Sequence, residues 1–268
     1  MRKNGKTARV YLLIVFLILY APILYMMVYS FNGGGTMHGF DGFTLEWYQE
    51  VFQDTRLLII VLNTLIIALL SSAISTVLGV IGALAIHRIR RRRRRNVMLT
   101  LNNVLIVSPD VIIGASFLVL FTMAGIQLGF VSVLLSHVAF CVPIVVLMVL
   151  PRLREMSPTL IDAARDLGAS SRDVLTKVVL PFIKPGIFAG FFMALTYSLD
   201  DFAVTFFVTG NGFSTLSVEI YSRARHGISL SINALSTLIF LFTLVLAVGY
   251  YVLNRRASRR PRWGVPQP

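Results

Sequence analysis

Charge is scarce in this chain. Only 14% of its 268 residues are Asp, Glu, Lys or Arg, while 56% are apolar, and mean hydropathy is +0.77. A soluble domain carries about 25% charged residues because its surface must meet water, so an ordinary cytosolic enzyme is excluded. The apolar content equally excludes a disordered chain. Cysteine is nearly absent: Cys141 alone forms no intrachain disulfide framework and no Cys-rich metal site, and reads as a core residue. A phosphate-cradling loop is also missing. Such a loop needs G-x4-G-K-[ST] between a strand and a helix, and Gly5-Lys6-Thr7 imitates only its end. The chain is expected neither to hydrolyse ATP nor to hold catalytic residues, a metal or a cofactor.

What is present is a series of long uncharged stretches. A bilayer core of about 30 Å needs about 20 helical residues with few or no charges. Such stretches predict six helices near residues 10–30, 58–86, 103–124, 130–150, 185–208 and 232–253. The turn between the third and fourth is expected at Gly125-Ile126-Gln127-Leu128-Gly129, where two glycines interrupt the apolar run. A membrane barrel would alternate polar and apolar residues. Leu65-Ile66-Ile67-Ala68-Leu69-Leu70 is apolar at every position, so the expected class is all-α and polytopic.

The 25 basic residues divide by side. The N-terminus holds four, the second loop seven, the fourth six and the tail five, against one, none and two in the first, third and fifth loops. Positive charge is retained in the cytoplasm. The expected organisation is therefore a cytoplasmic N-terminus over 1–9, a six-helix domain over 10–253 with a cytoplasmic loop at 151–184, and a basic cytoplasmic tail at 254–268. This placement turns the net charge of +13 away from nucleic acid. The six consecutive arginines at 90–95 read as a topology signal and an anchor to anionic lipid.

Asp110, Asp200 and Asp201 are the only formal charges inside the expected spans, and no Lys or Arg in a span neutralises them. An ionised Asp at mid-bilayer costs about 2.5–3.5 kcal/mol or more, so such residues face a partner or a water-filled path. Three uncompensated carboxylates point to a cationic cargo. Adjacent helical residues point about 100° apart, so one of Asp200 and Asp201 is expected to face the path and the other to bond a neighbouring helix. Asp110 follows Pro109, at an expected kink. His137, a single imidazole, reads as a helix–helix hydrogen bond. Ser71, Ser72, Ser75, Gly79 and Gly82 read as small residues that let helices approach closely.

In the fourth loop, Ser157-Pro158 opens a short helix that stops at Gly168. Its Leu160, Ala163, Ala164 and Leu167 form one apolar stripe at i, i+3, i+4 and i+7, suited to a groove on a partner. Ser170 with Asp173 predicts the cap of a second helix, expected to end at Leu180-Pro181. The pattern Asp162-Ala163-Ala164-x3-Gly168-x9-Val178-x-Leu180-Pro181 resembles the EAA loop of ABC importer permeases, E-A-A-x3-G-x9-I-x-L-P, with Asp for Glu and Val for Ile. The resemblance implies a type I ABC importer permease fold. It also implies that Asp162, Ala163, Ala164, Leu167, Gly168 and Pro181 form a coupling helix and its surroundings, seated on a separate ATPase subunit that binds ATP and Mg.

Ser198-Leu199-Asp200-Asp201-Phe202, Phe43-Thr44-Leu45-Glu46-Trp47-Tyr48 and Ser108-Pro109-Asp110-Val111 look like the polyamine (spermidine/putrescine) branch of that family, the second permease subunit in particular. The implied assembly has a second permease, two ATPase subunits and an external substrate-binding protein in a bacterial inner membrane. The implied cargo would use Asp110, Asp200 and Asp201 for its ammonium groups, with Trp47 near the outer mouth and Tyr197, one turn before Asp201, offering cation–π contact. The residues leave open an ABC permease for another small solute (an organic cation, an iron complex, a phosphonate), a proton-coupled secondary transporter and a non-transporting scaffold.

Overall fold

The computed structural model describes residues 5–37, 39–226 and 230–257. All regular structure among them is helical, with one isolated bridge between Asn32 and Phe43. The helices are α1 (Gly5–Tyr29), α2 (Glu46–Gln53), α3 (Thr55–Arg88), α4 (Arg92–Val107), α5 (Asp110–Met123), α6 (Phe130–Glu155), α7 (Pro158–Asp166) and α8 (Ser171–Asp173). A π-helical segment, Val174–Val179, leads into α9 (Leu180–Asp200), followed by α10 (Ala203–Val208), α11 (Leu216–His226) and α12 (Leu230–Ala257). Four helical stretches are long and apolar enough to cross a bilayer, and the bent α4–α5 pair makes a fifth if taken as one span. In α12 the apolar part is Leu230–Val245, so the expected count of six is approximate. Residues 1–4 and 258–268 of the expected termini lie outside the described residues.

Two of the expected spans are broken. The third, 103–124, is two helices meeting at 101°. Pro109 has no N–H to continue α4 and disfavours helical backbone at Ser108, which is extended at φ −70°, ψ 140°. The fifth, 185–208, ends at Asp200, because Asp201 is extended (φ −63°, ψ 122°), and α10 starts afresh. The helix opened by Ser170 does not stop at Leu180-Pro181 as expected. It runs on through the π segment, giving a continuous stretch Ser171–Asp200. Pro181 lacks an N–H and its ring would crowd the carbonyl four residues back, and the wider π turn lies directly before it. The Gly125 and Gly129 turn is as expected, with φ +67° and +149°.

The described residues form two compact units, one drawn from within 1–58 and 222–268 and the other from 59–221. In the first, fully buried Asn32 organises the segment after α1. Its side chain donates to the carbonyls of Thr36 and Gly39 and accepts the Asp41 N–H at 2.7 Å. In the second, α6 packs between α3 and α9 through small residues. A Cβ on Gly79 would lie 2.5 Å from Val145 Cβ, and one on Gly190 would lie 3.1 Å from Val145 Cγ1. Val145, Val149, Ile183 and Ala194 are fully buried there. Outward, Leu62, Leu69, Val77 and Ile81 of α3 are all more than half exposed, a face suited to hydrocarbon rather than water.

Candidate functional site: an acidic cavity and the fourth-loop helix

The break at Asp201 makes a site. A cavity of about 520 Å³ is lined by Asp110, Asp200, Asp201, Tyr197, Phe140 and Phe202, among others, and no Lys or Arg among the described residues lines it. Both adjacent carboxylates reach it, contrary to the expectation from helical spacing, because the chain leaves the helix between them and the 100° rule no longer applies. Asp110 sits in the first turn of α5, just past the Pro109 bend.

The two carboxylates differ in their surroundings. Asp200 is exposed. The Asp201 side chain is only 9% exposed and serves α10. It accepts the Thr205 N–H at 2.8 Å, the Val204 N–H at 3.3 Å and the Thr205 hydroxyl at 2.7 Å. An anionic oxygen here satisfies otherwise unpaired donors at a helix start and faces the positive end of its dipole.

Behind Asp201 runs a buried polar chain. His137 Nε2 lies 2.8 Å from the Thr205 hydroxyl and 3.5 Å from Asp201 Oδ2, and Nδ1 lies 2.7 Å from Ser198. Ser198 in turn meets Ser71 at 2.9 Å. One arrangement of hydrogens satisfies every member: Ser71 donates to Ser198, Ser198 to Nδ1, Nε2–H to Thr205, and Thr205 to the carboxylate. His137 is thus a helix–helix hydrogen bond, as expected, tying α6 to α9 and α10. Ser198 and Thr205 were not singled out by sequence reasoning; the Asp-x3-Thr spacing after a helix break was the available signal.

Tyr197 is half exposed at the cavity. Trp47 is not among the lining residues. It sits on α2 in the other compact unit, where its indole N–H donates to the Asn32 carbonyl at 2.7 Å. Phe140 and Phe202 are the aromatics that sequence reasoning missed, their apolar context being indistinguishable from core. Phe202 also packs on Tyr221 at 4.5 Å between ring centres.

The fourth loop folds largely as its residues dictate. Pro158 starts α7, and Gly168 ends it in the left-handed region at φ +84°. The Gly168 N–H bonds the Arg165 carbonyl at 2.8 Å, and the Ala169 N–H bonds the Ala164 carbonyl at 3.0 Å. This is the paired bonding of a Schellman stop, in which glycine avoids a Cβ penalty. Ser170 caps the next helix by accepting the Asp173 N–H. The apolar stripe divides differently from expectation. Ile161 and Ala164 turn inward against the core, whereas Leu160, Ala163 and Leu167, the last 89% exposed, remain outside with Asp162. Pro181 is exposed within the continuous helix.

The family model described as "Binding-protein-dependent transport system inner membrane component" matches residues 75–262. The spermidine/putrescine transport system permease protein PotC of Escherichia coli (strain K12) is 37% identical over 245 residues, covering 91% of this chain and 92% of that protein. The putrescine transport system permease protein PotI of the same strain is 35% identical over 260 residues, covering 94% and 92%. Among solved structures, a chain of a bacterial ABC transporter involved in the import of the acidic polysaccharide alginate superposes with TM-score 0.69 at 16% identity, covering 95% of this chain and 98% of that one. A chain of the MetNI methionine ABC transporter, in its native crystal form, gives a TM-score of 0.60 at 19% identity, covering 81% of this chain and 100% of that one. These likenesses show the fold.

Proposed function

Since this chain belongs to the family of inner-membrane components of binding-protein-dependent transport systems, we propose that it is the permease subunit of an ATP-driven polyamine importer. Permeases of this family work as non-catalytic partners of a separate ATPase. Here the translocation path is shared with a second permease, two cytoplasmic ATPase subunits bind ATP and Mg, and an external binding protein delivers spermidine or putrescine. Both termini and the 151–184 loop face the cytoplasm, in line with the distribution of basic residues.

The observation that carries this reading is the cavity lined by Asp110, Asp200 and Asp201 without a cation. A carboxylate about 4 Å from an ammonium gains about 4 kcal/mol at an effective dielectric constant of 20, whereas a cation–π contact gives about 0.5–2 kcal/mol. The acids therefore dominate recognition, and Tyr197, Phe140 and Phe202 line the methylene segments. Asp200 and Asp110 bind cargo, while Asp201 holds the start of α10. Trp47 serves the outer segment by anchoring α2 to Asn32. Leu160, Ala163 and Leu167 of α7 seat in the ATPase, and Asp162, Gly168 and Pro181 shape that contact. Loaded binding protein docks outside, ATP binding draws the motor subunits together, the path opens outward, and hydrolysis resets it.

The test is polyamine uptake by the reconstituted complex. Uptake that requires ATP and falls at least tenfold in Asp110→Asn/Asp200→Asn supports the reading. Undiminished uptake by that variant removes the acids from recognition, and uptake driven by a proton gradient without ATP makes the protein a secondary transporter.

A further inference from the structure

We propose that a cavity beside the docking helix, bounded by His87, Arg95 and Arg154, binds the phosphate of an anionic phospholipid. The cavity measures about 450 Å³ and is walled by Leu150 of α6 and by Pro158 and Ile161 of α7. The three basic side chains come from three elements: the end of α3, the first turns of α4 and the last turn of α6. The charges of Arg154 and Arg95 both bear on the His87 ring. No Asp or Glu lines the cavity among the described residues. No ion pair among them engages Arg95 or Arg154, since Arg152 takes Glu155 and Lys177 takes Asp173.

Arg95 Nε is buried and has no hydrogen-bond partner among the described residues. A buried donor on a charged group is costly to leave unmade, and guanidinium geometry matches phosphate oxygens. The class of ligand is therefore a phosphate-bearing anion.

A lipid is favoured over a soluble anion by what surrounds the cavity. On α4 the arginines are followed by half-exposed Val97, Met98 and Leu101. A neighbouring hollow is lined by Arg91, Arg93 and Arg94 together with Ile89, Val97 and Met98. Cationic and apolar surface in one helix suit an amphiphile, and basic pockets between helices at a cytoplasmic boundary take lipid head groups. Because Pro158 and Ile161 belong to α7, a bound head group braces the docking helix. That consequence for coupling rests on the transport reading, whereas lipid binding is measured independently of it.

The experiment is native mass spectrometry of the purified complex with phosphatidylglycerol or phosphatidylcholine, with uptake measured in nanodiscs of each lipid. Retention of phosphatidylglycerol is expected to weaken about fivefold in Arg95→Gln and about thirtyfold in Arg95→Gln/Arg154→Gln, at about a fivefold loss per basic residue. Arg95→Lys/Arg154→Lys is expected to keep most of it. Arg172→Gln/Lys184→Gln removes the same charge outside both hollows and is expected to change retention less than threefold. Equal losses in the two glutamine pairs, or no loss in either, overturn the site. Displacement of phosphatidylglycerol by millimolar inorganic phosphate identifies a soluble anion and overturns the lipid. Loss of the ATPase subunits from Arg95→Gln/Arg154→Gln in both lipids assigns the cavity to an acidic partner side chain, which also overturns it.

Discussion

Neutralising the two adjacent acids one at a time tests whether the proposed cargo recognition by Asp200 is separate from the structural role of Asp201. Asp200→Asn removes an exposed carboxylate for which no hydrogen bond is described, so its cost in stability is within about 0.5 kcal/mol. Asp201→Asn acts on the start of α10. The amide oxygen can keep the Thr205 contacts, but its NH2 group then faces the Val204 N–H, and the charge at the helix start is lost. A charge–dipole contribution reaches up to about 2 kcal/mol in partly buried geometry, so Asp201→Asn is expected to cost about 2 kcal/mol. At about 2–4 °C per kcal/mol for a chain of this size, its apparent melting midpoint in detergent falls by about 4–8 °C, while Asp200→Asn stays near wild type. Uptake assays on both variants complete the comparison: Asp200→Asn loses transport at unchanged stability. Equal destabilisation by the two substitutions would refute the division of labour, as would full uptake by Asp200→Asn.

Other expectations follow from close contacts and caps. Gly79→Val places a side chain where a Cβ alone is 2.5 Å from Val145, and overpacking of about 1–3 kcal/mol is expected as reduced yield and a lower melting midpoint. Gly168→Ala forces a Cβ into the left-handed region at about 1–2 kcal/mol, with no neighbour to clash. Uptake per ATP hydrolysed should fall in that variant, and Gly168→Asn should be milder. Asp54 is held below the ordinary carboxylate range by the Leu57 N–H and, against the opposing effect of burial, by Arg223, 3.1 Å away. A lowered folded-state value means that its contribution is complete above the unfolded value near 4 and is lost as pH falls through the folded one. Protection factors of α2 amides, corrected for the intrinsic pH dependence of exchange, should therefore fall on acidification in wild type and lose that dependence in Asp54→Asn. At these partial exposures the effect is about 1 kcal/mol or less.

Much of this was legible beforehand because bilayer chemistry constrains composition so strongly. The uncharged stretches located α1, α3, α6 and α12, and Pro158, Gly168 and Ser170 marked α7 and its successor through local backbone requirements. Local signals failed where tertiary context decides. Pro181 looked like a terminator, yet a π turn lies before it in an unbroken helix. Nothing around Asp201 announced an extended residue in mid-run, so only one of Asp200 and Asp201 was expected to face the path, whereas both line one cavity. Trp47 carried an attractive chemistry, but a single hydrogen bond to Asn32 commits its polar edge elsewhere.

The uninterrupted stretch Ser171–Asp200 has a mechanical corollary. At 1.5 Å per residue it is a rod of roughly 45 Å, and pivoting it by about ten degrees at one end sweeps the other through roughly 8 Å. Its foot follows the Gly168 stop directly, and its tip carries Tyr197 and Asp200. A displacement at the foot would thus arrive magnified at the tip to the extent that the π segment Val174–Val179 stays rigid.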